Sequence, residues 1–530
     1  MLLQRRMATA EEPLLLGDAC HRRENEEAFV SAEVQHLHRS EEDNILPIPP
    51  HHRTFTALDI ASIWWGIVTS ISTFYVAGVL VEEGMSWWQG LLTIVVSNIF
   101  QAICTILMGH AGAKYGIPFP VQCRASLGIH GAHFATFLRG IVACGWFSID
   151  TWIGGQALFV FINAICNNAL SAYGTISWLS TTLPELVCFF LFWLLQLTSI
   201  WHGVHGIKSL EKYASPVLLL CCGALLIWAY VKAGGFGEML SASSQFGRDG
   251  SKYGQFWIIW FSGLTANVGS FATVALNISD FTRYARSQTD QILGQMGLPV
   301  FVGFFSFIGL AVSSSTERIF GYVVSNPIEL LAQVGGAFTT LISLFGVTLA
   351  ILTTNVANIV APANALINIS PRYMTFRRGA LLTAFVGFLI QPWRLYQTGE
   401  AFLNTWLLGY SFLLGPLTGI ILVDYYILRH CNLDIPALYG SDKVRTYEYF
   451  RGYNLKAFAA FFIGAISNLP GFLYTVGALK QVPSFWLLLY KVSWFSSFLL
   501  SGLSFFLLSV APSIIECAQV DQVNETNRNI

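Results

Sequence analysis

Long apolar runs recur from residue 57 to residue 511, and they constrain the fold of this chain more than any other feature. A helix needs about 20 consecutive apolar residues to cross the hydrocarbon core of a bilayer. The sequence therefore predicts an all-α, multi-pass protein of the lipid bilayer with about twelve transmembrane helices. The candidate spans are 57–82, 88–112, 131–162, 183–201, 214–233, 255–279, 293–314, 328–365, 379–391, 401–428, 454–475 and 485–511.

The composition supports this prediction and argues against other classes of protein. Only 11% of the residues are charged, whereas a soluble protein has about a quarter. The net charge of −1 gives no indication of a nucleic-acid partner. The 10 cysteines include no Cys-x-x-Cys pair, so neither a metal cluster nor a disulfide framework is predicted.

The charged residues predict how the chain is oriented. With the N-terminus in the cytoplasm, the loops on that side carry more than twice as many lysines and arginines as the opposite loops. The positive-inside rule then places both termini in the cytoplasm. The N-terminal tail is rich in acidic residues, which argues against an organelle transit peptide. Within it, Glu11 followed by Leu15-Leu16 has the form of an acidic dileucine sorting signal. The plasma membrane is therefore favoured over a plastid envelope or an endomembrane.

The spans repeat with an offset. Those that begin near 57, 131 and 214 have counterparts near 255, 328 and 401, about 200 residues or five spans later. An odd number of spans inverts the second unit, which is the LeuT-type arrangement of a transporter. The predicted divisions are a disordered cytoplasmic tail (1–53), an inverted repeat of spans 1–5 (54–235), a second repeat of spans 6–10 (254–430), two C-terminal spans (452–511) and a cytoplasmic tail (512–530).

Small and hydroxyl-bearing residues cluster at matching depth in the first span (66–73) and the sixth span (265–270). One interpretation is that they allow helices to pack closely. The other is that both spans are broken at the midplane, as the first span of each repeat is in LeuT-type transporters. The offset of the spans favours broken helices.

A carboxylate lies in the third span, where charge is expensive. Trp146, Asp150 and Gly154 are four residues apart and share one helix face. Intramembrane carboxylates usually face a cavity, a partner or an ion path. The alternative is a hydrogen bond between helices that only stabilises the bundle, but a functional site is favoured.

The eighth span carries an unusual number of polar side chains. Thr353 and Thr354 offer oxygen ligands for a small cation, and Asn355 and Asn358 can both donate and accept hydrogen bonds with a heterocycle. The alternative is that they hydrogen-bond to neighbouring helices. Together with Asp150 in the equivalent helix of the other repeat, they favour a binding site.

Several motifs carry a resemblance to a known family. They are YGIPFPVQCRASLGI at 115–129, CGWFSIDTWIGG at 144–155, NISDFTRY at 277–284, TTN at 353–355, APAN at 361–364 and GPLTGIILVDYY at 415–426. Over residues 53–475 the chain resembles the nucleobase–cation symporter-1 family. It looks closest to the plant and algal branch of uracil, purine and allantoin carriers.

The resemblance implies roles for individual residues. Trp146 would stack on the ligand ring, Asp150 would be its polar partner, and Phe271 would cover the other face. The implied substrate-binding residues are Trp146, Asp150, Phe271, Ser270, Asn358, Asn355 and Ser70. The implied cation ligands are Thr353, Thr354 and the carbonyl group of Ala350.

Three departures from the family pattern bear on these roles. Asp150 stands where Gln or Glu is common, and Phe271 stands where Trp is usual. Asn355 and Asn358 are closer together than the family asparagines, which rotates one relative to the other by about 100°. The sequence leaves open which of the two faces the ligand.

The predicted function is symport of a nucleobase or related compound, such as uracil, a purine or allantoin, with no cofactor beyond a coupling ion, H+ or Na+. Proton coupling is favoured because Asp150 can exchange a proton, which a glutamine cannot. The alternatives are a passive channel or sensor on the same fold and an intramembrane aspartyl protease. The protease needs two facing carboxylates, and Asp59, Asp280 and Asp424 lie at predicted span ends. No enzyme activity is predicted.

Overall fold

The computed structural model describes residues 45–201, 204–334, 348, 351, 358–359, 362–363, 365–366, 369, 373–440 and 446–528. Within these ranges nearly all regular structure is helical. The one sheet in this part of the chain is a short antiparallel hairpin, in which Thr175–Ile176 pairs with Thr181–Thr182. The predicted all-α class is confirmed.

The longer helices follow the predicted spans. They are Ala57–Val68, Ile71–Glu82, Trp87–Tyr115, Ala132–Ile165, Leu183–Trp201, Val204–Ala233, Phe256–Leu276, Gly297–Phe320, Phe376–Leu389, Ala401–Leu428, Leu455–Ile466, Leu469–Thr475, Ser484–Lys491 and Ser493–Arg528. Shorter helices are Phe119–Leu127, Phe236–Met239, Ser279–Thr282, Gln288–Gln295, Pro327–Gln333, Pro392–Leu395 and Ile435–Leu438, with 3-10 turns at Pro50–His52 and Ala169–Ala172. The helix Ala401–Leu428 is π-helical at both ends, over Ala401–Leu407 and Val423–Leu428.

Among the described residues, seven helices are long and apolar enough to cross a membrane, and two bent pairs bring the number to as many as nine. One bent pair is the first predicted span and the other is the eleventh, with bends of 60° and 40°. Most of the predicted eighth span lies outside the described residues. The total of twelve spans and the repeat boundaries stay predictions.

The predicted N-terminal tail is described only from residue 45. Residues 1–44 lie outside the described ranges. The rest of the tail packs against the end of the second span, where the Ile48 amide donates a hydrogen bond to the Gly116 carbonyl oxygen at 3.0 Å. Arg53 Nη1 donates to the Ala113 carbonyl oxygen, also at 3.0 Å.

The first span is broken in its middle, as predicted. Ser70 adopts an extended conformation (φ −140°, ψ 153°) between the two half-helices. Its hydroxyl accepts a hydrogen bond from the Thr73 amide at 3.2 Å. This contact caps the second half-helix by satisfying an amide that has no partner inside the helix. Thr69 follows the last residue of the first half-helix, and its hydroxyl donates at 2.8 Å to the carbonyl oxygen four residues earlier.

The sixth span is a single helix, Phe256–Leu276, so the predicted break in it is wrong. Thr265, Asn267 and Ser270 each donate a side-chain hydrogen bond to the carbonyl oxygen four residues earlier, at 2.8, 2.8 and 3.0 Å. These bonds stay within the helix and leave its backbone ladder intact. The small residues serve close packing instead, since a Cβ at Gly269 would collide with the hydroxyl group of Ser411 in the tenth span.

The segment between the predicted second and third spans (88–112 and 131–162) contains a further helix, Phe119–Leu127, which the sequence analysis did not predict. The first turn of this helix is tied to the chain beyond the sixth span. The Phe119 amide donates a hydrogen bond to Asp280 Oδ1 at 2.8 Å. Asp280 thus links the short helix to the end of the helix that lines the candidate site.

Candidate functional site

A cavity of about 750 Å³ lies between the first, third and sixth spans, and one described residue of the eighth span also reaches it. Six of the seven predicted substrate-binding residues line it, namely Ser70, Trp146, Asp150, Ser270, Phe271 and Asn358. The structure therefore brings together side chains that are up to about 290 positions apart in the sequence. The seventh, Asn355, lies outside the described residues, as do Ala350, Thr353 and Thr354.

Asp150 joins three spans at the wall of this cavity. Ser72 Oγ donates a hydrogen bond to its Oδ1 at 3.0 Å, from just beyond the break in the first span. Asn358 Nδ2 donates to its Oδ2 at 2.9 Å, from the eighth span. Each carboxylate oxygen can accept a further hydrogen bond. The group can therefore also receive N–H donors from a ligand in the cavity.

The indole of Trp146 is held by aromatic side chains of the tenth span. Phe402, Trp406 and Tyr410 contact it edge-on, with ring centroids at 6.2, 6.0 and 6.4 Å. Such edge-to-face pairs are favourable and fix the orientation of the rings. The side chain is 8% exposed and lines the cavity, so it presents an apolar ring surface there.

Phe271 contributes a second aromatic surface from the sixth span. It is 6% exposed and packs edge-on against Trp64 of the first half-helix, with centroids 6.3 Å apart. The preceding residue, Ser270, lines the same cavity. Tyr410 supports this part of the wall, because its hydroxyl donates to the Gly269 carbonyl oxygen at 2.7 Å.

Ser72 and Arg139 are among the cavity residues that the sequence analysis missed. Ser72 lies in the polar run of the first span, two positions beyond the predicted Ser70, and the sequence held no signal to choose between them. Arg139 also lines the cavity. Its signal was its spacing, since it lies seven residues before Trp146 and eleven before Asp150, which places all three on one helix face.

Among the described residues that line the cavity, Asp150 is the only carboxylate. Asp59 caps the first half-helix by accepting from the Thr56 amide at 2.8 Å. Asp424 forms an ion pair with Arg429 at 2.7 Å. The paired carboxylates that an aspartyl protease requires are therefore not assembled in this part of the chain.

Comparison with known proteins decides the family. The family described as "Permease for cytosine/purines, uracil, thiamine, allantoin" matches residues 47–496. The chain belongs to the nucleobase–cation symporter-1 family. It is a multi-pass membrane permease and not an enzyme, which confirms these predictions and removes the protease alternative.

Individual members of the nucleobase–cation symporter-1 family resemble the chain over most of its length. It is 49% identical over 468 residues to the purine-uracil permease NCS1 of Arabidopsis thaliana, covering 88% of this chain and 77% of that protein. It is 35% identical over 504 residues to the allantoin permease of Bacillus subtilis, covering 92% and 98%.

The fold is similar to that of the transporter Mhp1 in its inward-facing conformation. The TM-score is 0.69 at 22% sequence identity, over 90% of this chain and 94% of that one. This likeness confirms the LeuT-type transporter fold. It does not extend to the ligand or the coupling ion of this chain.

Proposed function

We propose that this protein is a symporter that carries a nucleobase or a related ureide, of the uracil, purine and allantoin class, together with a cation. The observation that carries the proposal is the constellation around Asp150. Its carboxylate is hydrogen-bonded to Ser72 and Asn358 in a cavity that Trp146 and Phe271 also line. The relatives that are named as purine-uracil and allantoin permeases support this class of substrate.

The planar ring of the substrate would bind between the two aromatic side chains. Trp146 offers one surface and Phe271 the other, and stacking of a heterocycle on an aromatic side chain is worth about 1–3 kcal/mol. Asp150 would accept hydrogen bonds from ring N–H groups. The amide of Asn358 can both donate and accept, so it would pair with a carbonyl group or a neighbouring N–H. Ser70 and Ser270 would complete the polar lining.

The coupling cation is proposed to be a proton, with Na+ as the alternative. Asp150 lies where the ligand would bind, and a carboxyl group can exchange a proton as the ligand enters and leaves. For Na+, the proposed ligands are Thr353, Thr354 and the carbonyl group of Ala350. A proton and a substrate that share Asp150 would be coupled at one residue.

The arrangement of the chain in its membrane is part of the proposal. Two inverted repeats (54–235 and 254–430) would precede the two C-terminal spans, and both termini would be cytoplasmic. The bias of lysine and arginine between the loops supports this orientation. We place the protein in the plasma membrane, and a fluorescent fusion that labels only the plastid envelope would contradict this placement.

Uptake in cells that lack their own nucleobase carriers tests the proposed function. Labelled uracil, adenine, guanine, cytosine and allantoin would be supplied singly, and each would be competed with the unlabelled compounds. The proposal requires saturable uptake of at least one of them and accumulation above the external concentration. Uptake that only equilibrates across the membrane would instead indicate a passive channel on the same fold.

A further inference from the structure

Asn404 lies near the start of the tenth span and receives hydrogen bonds from two other spans. Lys491 Nζ donates to its Oδ1 at 2.7 Å, from the end of the helix Ser484–Lys491. Ser262 Oγ donates to the same oxygen at 3.2 Å, from the sixth span. The Asn404 carbonyl oxygen accepts a third bond, at 2.7 Å, from the Tyr490 hydroxyl group. Asn404 therefore joins the sixth, tenth and twelfth spans.

Lys491 carries a charge inside a predicted span, where charge is costly and usually has a specific partner. It is in none of the ion pairs that the described residues form. Glu83 and Glu400 attract it at longer range, and Glu83 is itself paired with Lys252 at 3.0 Å. Within the described part of the chain, the hydrogen-bond acceptor of the ammonium group is the side-chain amide of Asn404.

The segment that contains Asn404 also carries aromatic side chains that contact Trp146. It is the π-helical stretch Ala401–Leu407. Phe402 and Trp406 face the third span, with ring centroids 6.2 and 6.0 Å from that of Trp146. Asn404 lies between these two residues in the sequence, but its side chain bonds to the sixth and twelfth spans instead. One short segment therefore connects the twelfth span to the side chain that is proposed to stack on the ligand.

The twelfth span fixes this segment through three hydrogen bonds. Two end on Asn404, and the third runs from Ser493 Oγ to the Leu408 carbonyl oxygen at 3.2 Å. A π-helical backbone is rare and frequently occurs at functional sites. Of the three bonds, only that of Lys491 comes from a charged donor, and such bonds are about twice as strong as neutral ones. Its loss should therefore let the aromatic side chains of the segment shift against the third span.

We propose that Lys491 is a positioning residue of the substrate site, which holds the π-helical segment against Trp146 through its bond to Asn404. The proposal rests on the proposed function. It makes a C-terminal span, outside both predicted repeats, part of the structure that sets ligand affinity. Lys491 and Asn404 are not among the described residues that line the cavity. Their effect on the ligand would therefore pass through Phe402 and Trp406.

The concentration dependence of uptake tests the proposal. The probe is whichever of labelled uracil, adenine, guanine, cytosine and allantoin the wild type takes up. The apparent KM, the maximal rate and the amount of protein at the cell surface are measured on the same cells. The variants are Lys491→Met and Lys491→Arg. Lys480→Met is the matched control, because it removes the same charge from an exposed position shortly before the twelfth span.

Lys491→Met should raise the apparent KM by about threefold to tenfold at an unchanged surface amount, as the loss of one hydrogen bond from a charged group implies. Methionine removes the charge together with the bond, so no charge is left without its partner inside the span. Lys491→Arg keeps a charged donor and should recover most of the affinity. Lys480→Met should behave as the wild type.

Two further variants test whether the effect passes through the tenth span. Asn404→Ala removes the acceptor and should raise the apparent KM as Lys491→Met does. Trp406→Leu removes a ring that transmits the effect. Adding Lys491→Met to Trp406→Leu should therefore raise the apparent KM by a smaller factor than in the wild type.

Two results would overturn the role of Lys491. One is an unchanged apparent KM in Lys491→Met, because a loss of maximal rate and surface amount alone would indicate a structural role. The other is an equal increase in the presence and absence of Trp406→Leu. If Lys491→Met does not reach the membrane, Asn404→Ala decides by the same criterion. Both results leave the proposed function standing, whereas wild-type cells without saturable uptake of any compound would refute the proposed function itself.

Discussion

The first and sixth spans line the same cavity with similar residues but have different backbones. Both contain glycine, serine and threonine at comparable depth, and both contribute hydroxyl groups to the cavity wall. The first span is interrupted between Val68 and Ile71 with a bend of 60°. The sixth span runs as one helix over Phe256–Leu276. Residue composition alone therefore does not decide whether a span breaks.

One side-chain hydrogen bond at the break distinguishes the two spans. In the first span, the hydroxyl of Ser70 accepts from the amide of Thr73 ahead of it and so starts a new helix. In the sixth span, the hydroxyls of Thr265 and Ser270 donate to carbonyl groups behind them and so continue the existing helix. A hydroxyl group can do either, and the sequence does not show which.

The largest effect on uptake is expected at Trp146, because the third span completes the site that the first and sixth spans line. If both walls enclose one ring-binding position, Trp146→Ala should raise the apparent KM by about tenfold to a hundredfold or abolish uptake, as loss of a stacking surface implies. The measurement is the concentration dependence of uptake, with surface expression determined on the same cells. Unchanged saturable uptake in this variant would remove Trp146 from the site.

Asp150→Asn tests whether the wall formed by the third span, with Ser72 of the first span bonded to it, carries the coupling chemistry. Asparagine keeps the shape of the side chain but cannot exchange a proton, so uptake should lose its dependence on external pH and accumulation should fall by about tenfold. Loss of a hydrogen bond to a charged group, at about 1.5–3 kcal/mol, supports this magnitude. A full pH profile in the variant, with wild-type uptake that stops without sodium, would refute proton coupling.

A double-mutant cycle shows which span Asp150 acts with. Asp150 is hydrogen-bonded to Ser72 in the first span. The effects of Asp150→Asn and Ser72→Ala on uptake, expressed as free energies, should therefore be non-additive. The hydroxyl of Ser270 instead donates to a carbonyl group of its own helix. Asp150→Asn and Ser270→Ala should therefore be additive to within about 0.5 kcal/mol. Equal coupling in both cycles would show that the two walls are not chemically distinct.

The sequence predicted which residues share the cavity better than it predicted the backbone. Trp146 and Asp150 were found together because helical spacing is regular and because a carboxylate in an apolar span usually faces a cavity, a partner or an ion path. Asn358 was assigned to the same site, and it contacts Asp150. The helix Phe119–Leu127 was missed because a segment with two nearby prolines resembles a loop, although proline is well tolerated in the first turn of a helix.

Gly269→Ala separates the two interpretations of the small residues in the sixth span. The structure places the Ser411 hydroxyl group where the new methyl group would lie. We therefore expect a loss of about 1–3 kcal/mol in stability, as overpacking usually produces. Thermal unfolding of the purified protein in detergent measures it. A variant that is more stable than the wild type would show that Gly269 weakens the helix and does not serve packing.

The smallest effects on stability are expected for Ser70 and Ser270, which can be compared directly. Ser70→Ala removes a helix cap and should cost about 1 kcal/mol of stability, whereas Ser270→Ala removes only a bond within a continuous helix and should cost a few tenths of that amount. Both substitutions delete one hydroxyl group from the cavity wall, so their effects on ligand contact are matched. Any difference in unfolding temperature then reports the cap. Equal losses would mean that the hydroxyl of Ser70 does not maintain the break, and that the extended conformation at this position is imposed by the packing of the two half-helices against their neighbours.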